Sequence, residues 1–336
     1  MIELRVRYPP GADLALRTSH DWSVDVPPAA VFEDGIERVF RVPVPADGPP
    51  LLYAKPVRRR PDGGVDWAQG SNYLIIAGEQ SIYPYFDGGM GGQLTGRQQL
   101  GGRTVRVFLP PGYHENTIKH YPTLYALDGA NIFLPEEAFS GADWELDETV
   151  NELDALNLVD KIIVVAVYSA PEEREAEYTA PGYFRFGEQL VREVIPAVER
   201  RYRALSSPRD RAIIGSSLGG VAAMHVAWQH PEDVGMCACL SSTFGYRDDL
   251  LRRVWRERLP GARVYLDAGL PNDNYNRTRE MFDTLIARGM APGRDVLFLG
   301  FPGALHHEKS WAQRVHLPLQ FFFGHAFRPS RCRFVP

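Results

Sequence analysis

Arg211-Ala212-Ile213-Ile214 is a short apolar stretch, Gly215-Ser216-Ser217-Leu218-Gly219-Gly220 follows it, and Val221-Ala222-Ala223-Met224-His225-Val226-Ala227-Trp228 continues as an apolar helix stopped before Pro231. The order strand, Gly-x-Ser-x-Gly, helix is what a nucleophilic serine requires. The turn must be tight enough to hold Oγ clear of the sheet. Glycine is needed two residues before and two after the serine, because a Cβ at either place would collide with the neighbouring strand or helix. Ser217 is the candidate nucleophile, and Ser216, at the x position, points away. A glycine-rich turn that merely carries serines would show the same ten residues, so the surroundings must decide.

Outward from this turn, apolar strand segments recur at 103–109, 122–127, 161–167, 211–215, 236–241, 263–268 and 295–300. Helical periods at about 146–157, 187–203, 218–229, 274–289 and 310–323 separate most of them. Runs such as Ile162-Ile163-Val164-Val165-Ala166-Val167 suit strands buried on both faces. The alternation predicts an α/β fold with a doubly wound, mostly parallel sheet over residues 103–336. Residues 1–90 differ: short strand-like segments at 2–7, 37–44, 51–57 and 73–77 are punctuated by Pro and Gly, as at residues 47–50, predicting a small all-β sandwich. Between them, residues 87–102 hold seven glycines and almost nothing apolar. A density of glycine that high is costly to order, which predicts a linker over 91–102.

A base must reach the serine from a loop above the carboxyl edge of the sheet. His306 and His307 lie in such a loop, after the last strand segment and before the helix at Ser310-Trp311. His306 is preferred. His225 and His230 belong to the helix after the turn, and His316 and His325 to the last helix and its exit. The orienting acid should leave the preceding strand. Asp273 stands four residues past Gly269 and is favoured, although it would also cap the helix near Tyr275. Asp267, at the strand end, is the alternative. A dyad oriented by Asn272 or a carbonyl is the third. For the oxyanion, the Leu218 N–H and a second donor from Ala130 or Gly129, in the turn after the strand ending at Leu127, would serve.

Thr104-Val105-Arg106-Val107-Phe108-Leu109-Pro110-Pro111-Gly112-Tyr113, Leu124-Tyr125-Ala126-Leu127-Asp128-Gly129, Arg201-Tyr202-Arg203, the serine turn and His306-His307-Glu308-Lys309-Ser310-Trp311 occur together and in this order. The set resembles the esterase D-type α/β-hydrolases, which include enterochelin (ferric-siderophore), feruloyl and acetylxylan esterases and mycolyltransferases. The resemblance covers about residues 97–325. It implies Ser217 as nucleophile, His306 as base, and Ala130 with Leu218 as oxyanion donors. The family's acid position falls at Asn272, with Asp273 beside it. Residues 62–72 are similar to starch-binding sandwich domains through Trp67 and Asn72, but the strand expected to carry a second tryptophan reads Glu37-Arg38-Val39-Phe40. Trp22 would serve only if the fold brings it alongside.

Trp144, Tyr178 and Arg174 lie in loops of the catalytic region and are expected as substrate-pocket walls. Arg58-Arg59-Arg60 with Lys55 form a basic cluster open to an anionic substrate or to solvent. The 336 residues carry 37 Lys and Arg against 42 Asp and Glu, a formal charge of −5, which argues against a nucleic-acid partner. No apolar run is long enough for a membrane span. Cys237, Cys239 and Cys332 are too few and too oddly spaced for a disulfide framework or zinc site. With Met1 as the native start, a reduced, cytoplasmic protein is expected. The reading is a serine carboxylic esterase acting on a small-molecule ester without metal or cofactor. An acyltransferase using the same acyl-enzyme, or a silent carbohydrate-binding protein, are the alternatives.

Overall fold

The computed structural model describes residues 2–43, 51–76, 79–89, 91–170 and 172–325; residues 47–50 and Cys332 lie outside them. It divides into two compact units. The first holds β1 (Ile2–Arg7), β2 (Leu14–Thr18), β3 (Asp21–Val26), β4 (Ala30–Phe32), β5 (Glu37–Val42), β6 (Leu51–Arg59), β7 (Val65–Trp67), β8 (Tyr73–Ile76) and β9 (Glu79–Ile82). They form one sheet in the order β4-β5-β1-β9 and a second in the order β3-β2-β6-β7, with β8 also on β6. Alternate residues of β1 turn inward, so Ile2, Leu4 and Val6 join Leu14, Leu16, Phe40, Leu52 and Ile75 in one core. Residues 110–120 and 151–158 group with this unit. Glu115 accepts the Tyr8 hydroxyl and the N–H groups of Phe86 and Asp87, and the Asn116 amide donates to the Arg7 and Pro84 carbonyls. These polar ties are why the chain returns to the sandwich after Leu109.

The second unit is built on β10 (Gln93–Leu94), β11 (Gln98–Leu100), β12 (Arg103–Leu109), β13 (Thr123–Leu127), β14 (Ile163–Val167), β15 (Arg211–Ser216), β16 (Met236–Leu240), β17 (Arg263–Leu270) and β18 (Val296–Pro302). Their order is β10-β12-β14-β13-β15-β16-β17-β18, with β11 on β12. From β14 to β18 every pairing is parallel, whereas β12 runs antiparallel to β14. The helices are α1 (Leu146–Ala155), α2 (Arg174–Tyr178), α3 (Gly182–Gln189), α4 (Ile195–Arg201), α5 (Leu218–Gln229), α6 (Leu250–Arg256), α7 (Tyr275–Ala287), α8 (Glu308–Ala312) and α9 (His316–Phe323). This is the α/β-hydrolase architecture. Strands β13 to β16 are buried along their whole length, as helices on both faces demand.

The stretch 91–102 contains β10 and β11 rather than only spacer. Gly101 and Gly102, at φ +55° and +73°, turn β11 into β12, and a Cβ on Gly101 would lie 2.4 Å from the Glu193 backbone. Glycine there serves a close approach, not slack. Parallel pairing also puts the carboxyl ends of β13, β15, β16, β17 and β18 on one edge. The residues that follow them, at 128–131, 217, 241, 273 and 306, therefore meet there.

Candidate active site

Ser217 sits where β15 gives way to α5, at φ +54° and ψ −123°, a region that a side chain occupies only under strain. Its N–H donates to the Leu240 carbonyl at 3.0 Å and its carbonyl accepts from the Thr243 N–H at 3.3 Å, pinning the turn to the end of β16. An added Cβ would come within 2.3 Å of the Gly219 carbonyl at Gly215, 2.9 Å of Asp128 Oδ2 at Gly219, and 1.9 Å of Ser242 Oγ at Gly220. Leu218 opens α5, so its N–H has no intrahelical partner.

His306 lies in the loop between β18 and α8, its side chain 37% exposed, and its Nδ1 is 2.6 Å from Asp273 Oδ1. The other Asp273 oxygen accepts the Ser241 hydroxyl at 2.6 Å and the Gly269 N–H at 2.8 Å. Burial opposes the charge on Asp273, but the bonds from His306, Ser241 and Gly269 prevail and hold the carboxyl below its usual range. Asp267 meets Arg314 (3.1 Å) and the Tyr265 hydroxyl (3.1 Å) instead of a histidine. Burial pushes it up to about 6 against the pull of Arg314. His307 accepts the Lys309 N–H with Nδ1, the cap of α8. His225 is buried, stacked on Tyr183, and burial lowers it to about 3.

After β13, Asp128 adopts φ +57° and Gly129–Asn131 make one tight helical turn. A Cβ on Gly129 would strike Tyr168 at 2.6 Å. Ala130 is half-buried. Arg174 donates to both Asp128 oxygens (2.6 and 2.8 Å), Ser169 Oγ to one (3.1 Å), and the Asp128 N–H points to the Tyr178 hydroxyl (3.4 Å).

The expected pocket walls are corrected by this geometry. Tyr178 is 0% and Trp144 1% exposed, so neither presents a surface to substrate. Trp144 packs on Trp311 with ring centres 5.9 Å apart, and the Arg174 guanidinium is spent on Asp128. Trp67 belongs to the sandwich unit, 38% exposed, and Trp22 does lie alongside it, centres 6.3 Å apart and tilted by 53°. The Arg17 guanidinium sits 5.1 Å from the Trp67 ring centre. The basic cluster is neutralised: Arg58 pairs with Asp66 and Asp87, Arg59 with Asp13, and Arg60 with Asp62 and Asp66. Lys55 donates to the Gly70 carbonyl.

Ser241 and Arg314 are not legible as site residues, and Asp128 enters the sequence reading only as part of the turn with Gly129. The only signal of Ser241 and Arg314 is polarity in apolar company: Ser241 closes the strand Met236–Leu240, and Arg314 stands one turn past Trp311. His230, Glu232 and Asp233 bring ligand-type atoms within 4.8 Å of one another, but Arg192 already lies 3.2 Å from Asp233. They also sit at the far end of α5, about 18 Å from Ser217 along a helix of that length.

A family model named Esterase and described as "Putative esterase" matches residues 99–314, which include Ser217, Asp273 and His306. The chain belongs to this esterase family. It is 25% identical over 252 residues to the uncharacterized protein YbbA of Bacillus subtilis (strain 168), a match covering 70% of this chain and 98% of that one. The enterobactin esterase FES from Shigella flexneri is similar in fold, with TM-score 0.55 and 13% identity over 95% of this esterase and 91% of that chain. A ferulic acid esterase from Anaeromyces mucronatus has TM-score 0.54 and 18% identity over 69% of this chain and 90% of its own. The protein is a serine-type carboxylic-ester hydrolase. No helix among its described residues is long and apolar enough to cross a membrane.

Proposed function

We propose that the esterase cleaves its substrate through a Ser217 acyl-enzyme, with His306 as base and Asp273 as the orienting acid. The observation that carries this reading is the 2.6 Å contact between His306 Nδ1 and the buried Asp273 carboxylate. With Nδ1 engaged, Nε2 is the nitrogen left to take the Ser217 proton. Oγ bonds to the ester carbonyl carbon, the Leu218 and Ala130 N–H groups stabilise the oxyanion, and the alkoxide departs with the proton from His306. Water, deprotonated by the same imidazole, then releases the acid. Each oxyanion donor is worth about 3 kcal/mol of barrier.

The substrate we infer is a small-molecule ester, with a siderophore lactone ahead of aryl and sugar esters. The likeness to an enterobactin esterase extends over 95% of the chain, against 69% for the ferulic acid esterase. That wider match supports a substrate class for which the β-sandwich is also kept. The first test is intact-mass analysis after fluorophosphonate treatment. Stoichiometric labelling of the wild type, abolished by Ser217→Ala and slowed by His306→Ala, is expected. An unlabelled but folded wild type would overturn the mechanism. Hydrolysis of a tricatechol lactone no faster than of feruloyl or acetyl-sugar esters would overturn the substrate assignment.

A further inference from the structure

Asp273 is held from behind by a buried group that the triad does not need for composition. Ser241, fully buried at φ +47°, follows β16, and its hydroxyl has three partners. Trp311 Nε1 lies 3.0 Å away, Arg314 Nη2 2.5 Å, and Asp273 Oδ2 2.6 Å. Indole and guanidinium nitrogens can only donate, and a hydroxyl has two lone pairs and one proton. With both lone pairs filled by Trp311 and Arg314, the Ser241 proton has one destination, Asp273 Oδ2. The direction of the bond is therefore fixed by chemistry.

Arg314 is almost wholly buried, and its Nη2 also lies 3.1 Å from Asp267 and 3.5 Å from Asp273. Its Nε and Nη1 have no hydrogen-bond partner among the described residues. A guanidinium buried with such incomplete bonding is expensive, so a purely architectural residue at this place would be better apolar.

We infer that Ser241 and Arg314 are positioning residues of the esterase reaction: Arg314 polarises the Ser241 hydroxyl, which locks Asp273 Oδ2 and leaves Oδ1 facing His306 Nδ1. The inference rests on the mechanism proposed above. Gly269 donates to the same oxygen, so Oδ2 is held at two points and the carboxylate cannot rotate about its axis without losing both. The Asn274 amide, donating to the Ser241 carbonyl at 2.8 Å, and the Ser241 N–H, donating to the Asp267 carbonyl at 2.8 Å, fix the serine itself.

The test compares Ser241→Ala, Arg314→Lys and the paired Arg314→Met/Asp267→Asn variant, which removes both buried charges together. The readouts are kcat and KM for p-nitrophenyl acetate, thermal unfolding, and the low-field proton signal of the His306 Nδ1–H. Ser241→Ala is expected to lower kcat about 10- to 100-fold with KM within about twofold, since the Gly269 N–H still restrains Asp273; full loss of the acid would cost about 10⁴. The low-field proton should move, and Arg314→Lys, which keeps a donor and the charge, should recover more activity than the paired variant. Variants that melt lower but keep wild-type kcat and an unmoved proton signal would overturn the proposal. A wild type that fails to label at Ser217 would instead remove the mechanism beneath it. If Ser241→Ala does not fold, the ranking of the two Arg314 variants decides: equal kcat values overturn the inference.

Discussion

Arg174 lays its guanidinium across both carboxylate oxygens of Asp128, the residue that opens the Gly129–Ala130 turn. The same carboxylate lies 2.9 Å from where a Cβ on Gly219 would be, just past Leu218. One ion pair thus braces both peptide segments assigned to the oxyanion hole. Burial works against the charge on Arg174, but Asp128 keeps it raised.

Replacing Arg174 by Gln should consequently lower kcat for a simple aryl ester by about tenfold to a hundredfold, because a displaced N–H is worth about 3 kcal/mol when lost outright. KM should stay nearly constant. Steady-state kinetics decides the matter: a raised KM with retained kcat would mean that Arg174 binds substrate after all.

Asp273 and Asp267 are separated by the same measurement. Asp273→Asn should reduce kcat by about 10⁴, since an amide NH2 donating to Nδ1 holds His306 in the wrong tautomer, with its proton on Nε2. Asp267→Asn leaves the His306 partner in place and should stay within about tenfold. The reverse ranking would transfer the acid's role to Asp267.

The pH dependence of stability carries the opposite signature for the two carboxyls. Asp267 is buried, and burial raises it in the folded protein to about 6, above the ordinary aspartate value of about 3.9. Between these values the native state holds the extra proton, so its contribution is complete below about pH 4 and lost as pH rises through 6. Integrated over that window the loss is about 3 kcal/mol. Asp273, held low, contributes above the unfolded value and loses that contribution in acid. Urea unfolding from pH 4 to 7 should show wild type losing stability relative to Asp267→Asn as pH rises. A constant gap between the two would contradict a raised Asp267.

How far the sequence could be read follows from what each residue does locally. The strands β13 to β16 and the helix after Ser217 announce themselves because burial on both faces leaves runs such as Ile163–Val167 with no polar residue. The sandwich was harder. Asp21–Val26 and Ala30–Phe32 are short and largely exposed, so neither alternation nor an apolar run marks them. Gly215, Gly219 and His306 carry motifs because the turn and the loop need those residue types. Ser241 and Arg314 carry none: their meaning comes from meeting Asp273 across 32 and 41 positions of chain, Ser241 through the parallel order of β16 and β17 and Arg314 through the chain that follows β18 and α8. The pocket walls failed for a related reason. An aromatic residue in a loop looks the same whether it faces substrate or, like Trp144, packs on Trp311.

The backbone at Ser217 gives the last prediction. At φ +54° and ψ −123° a side chain is strained by roughly 1–3 kcal/mol, and only glycine is relaxed there. Ser217→Ala removes the hydroxyl but keeps the Cβ, so it should abolish turnover and leave stability near wild type. Ser217→Gly should abolish turnover equally and unfold at higher urea. Its gain is about 1 kcal/mol, because relief of strain exceeds the roughly 0.5–1 kcal/mol of added freedom that glycine brings to the unfolded chain. Comparing the two inactive variants isolates the backbone from the chemistry. A Ser217→Gly midpoint at or below that of Ser217→Ala would mean that the turn stores no strain, and that the serine is held aloft by its hydrogen bonds to Leu240 and Thr243 alone.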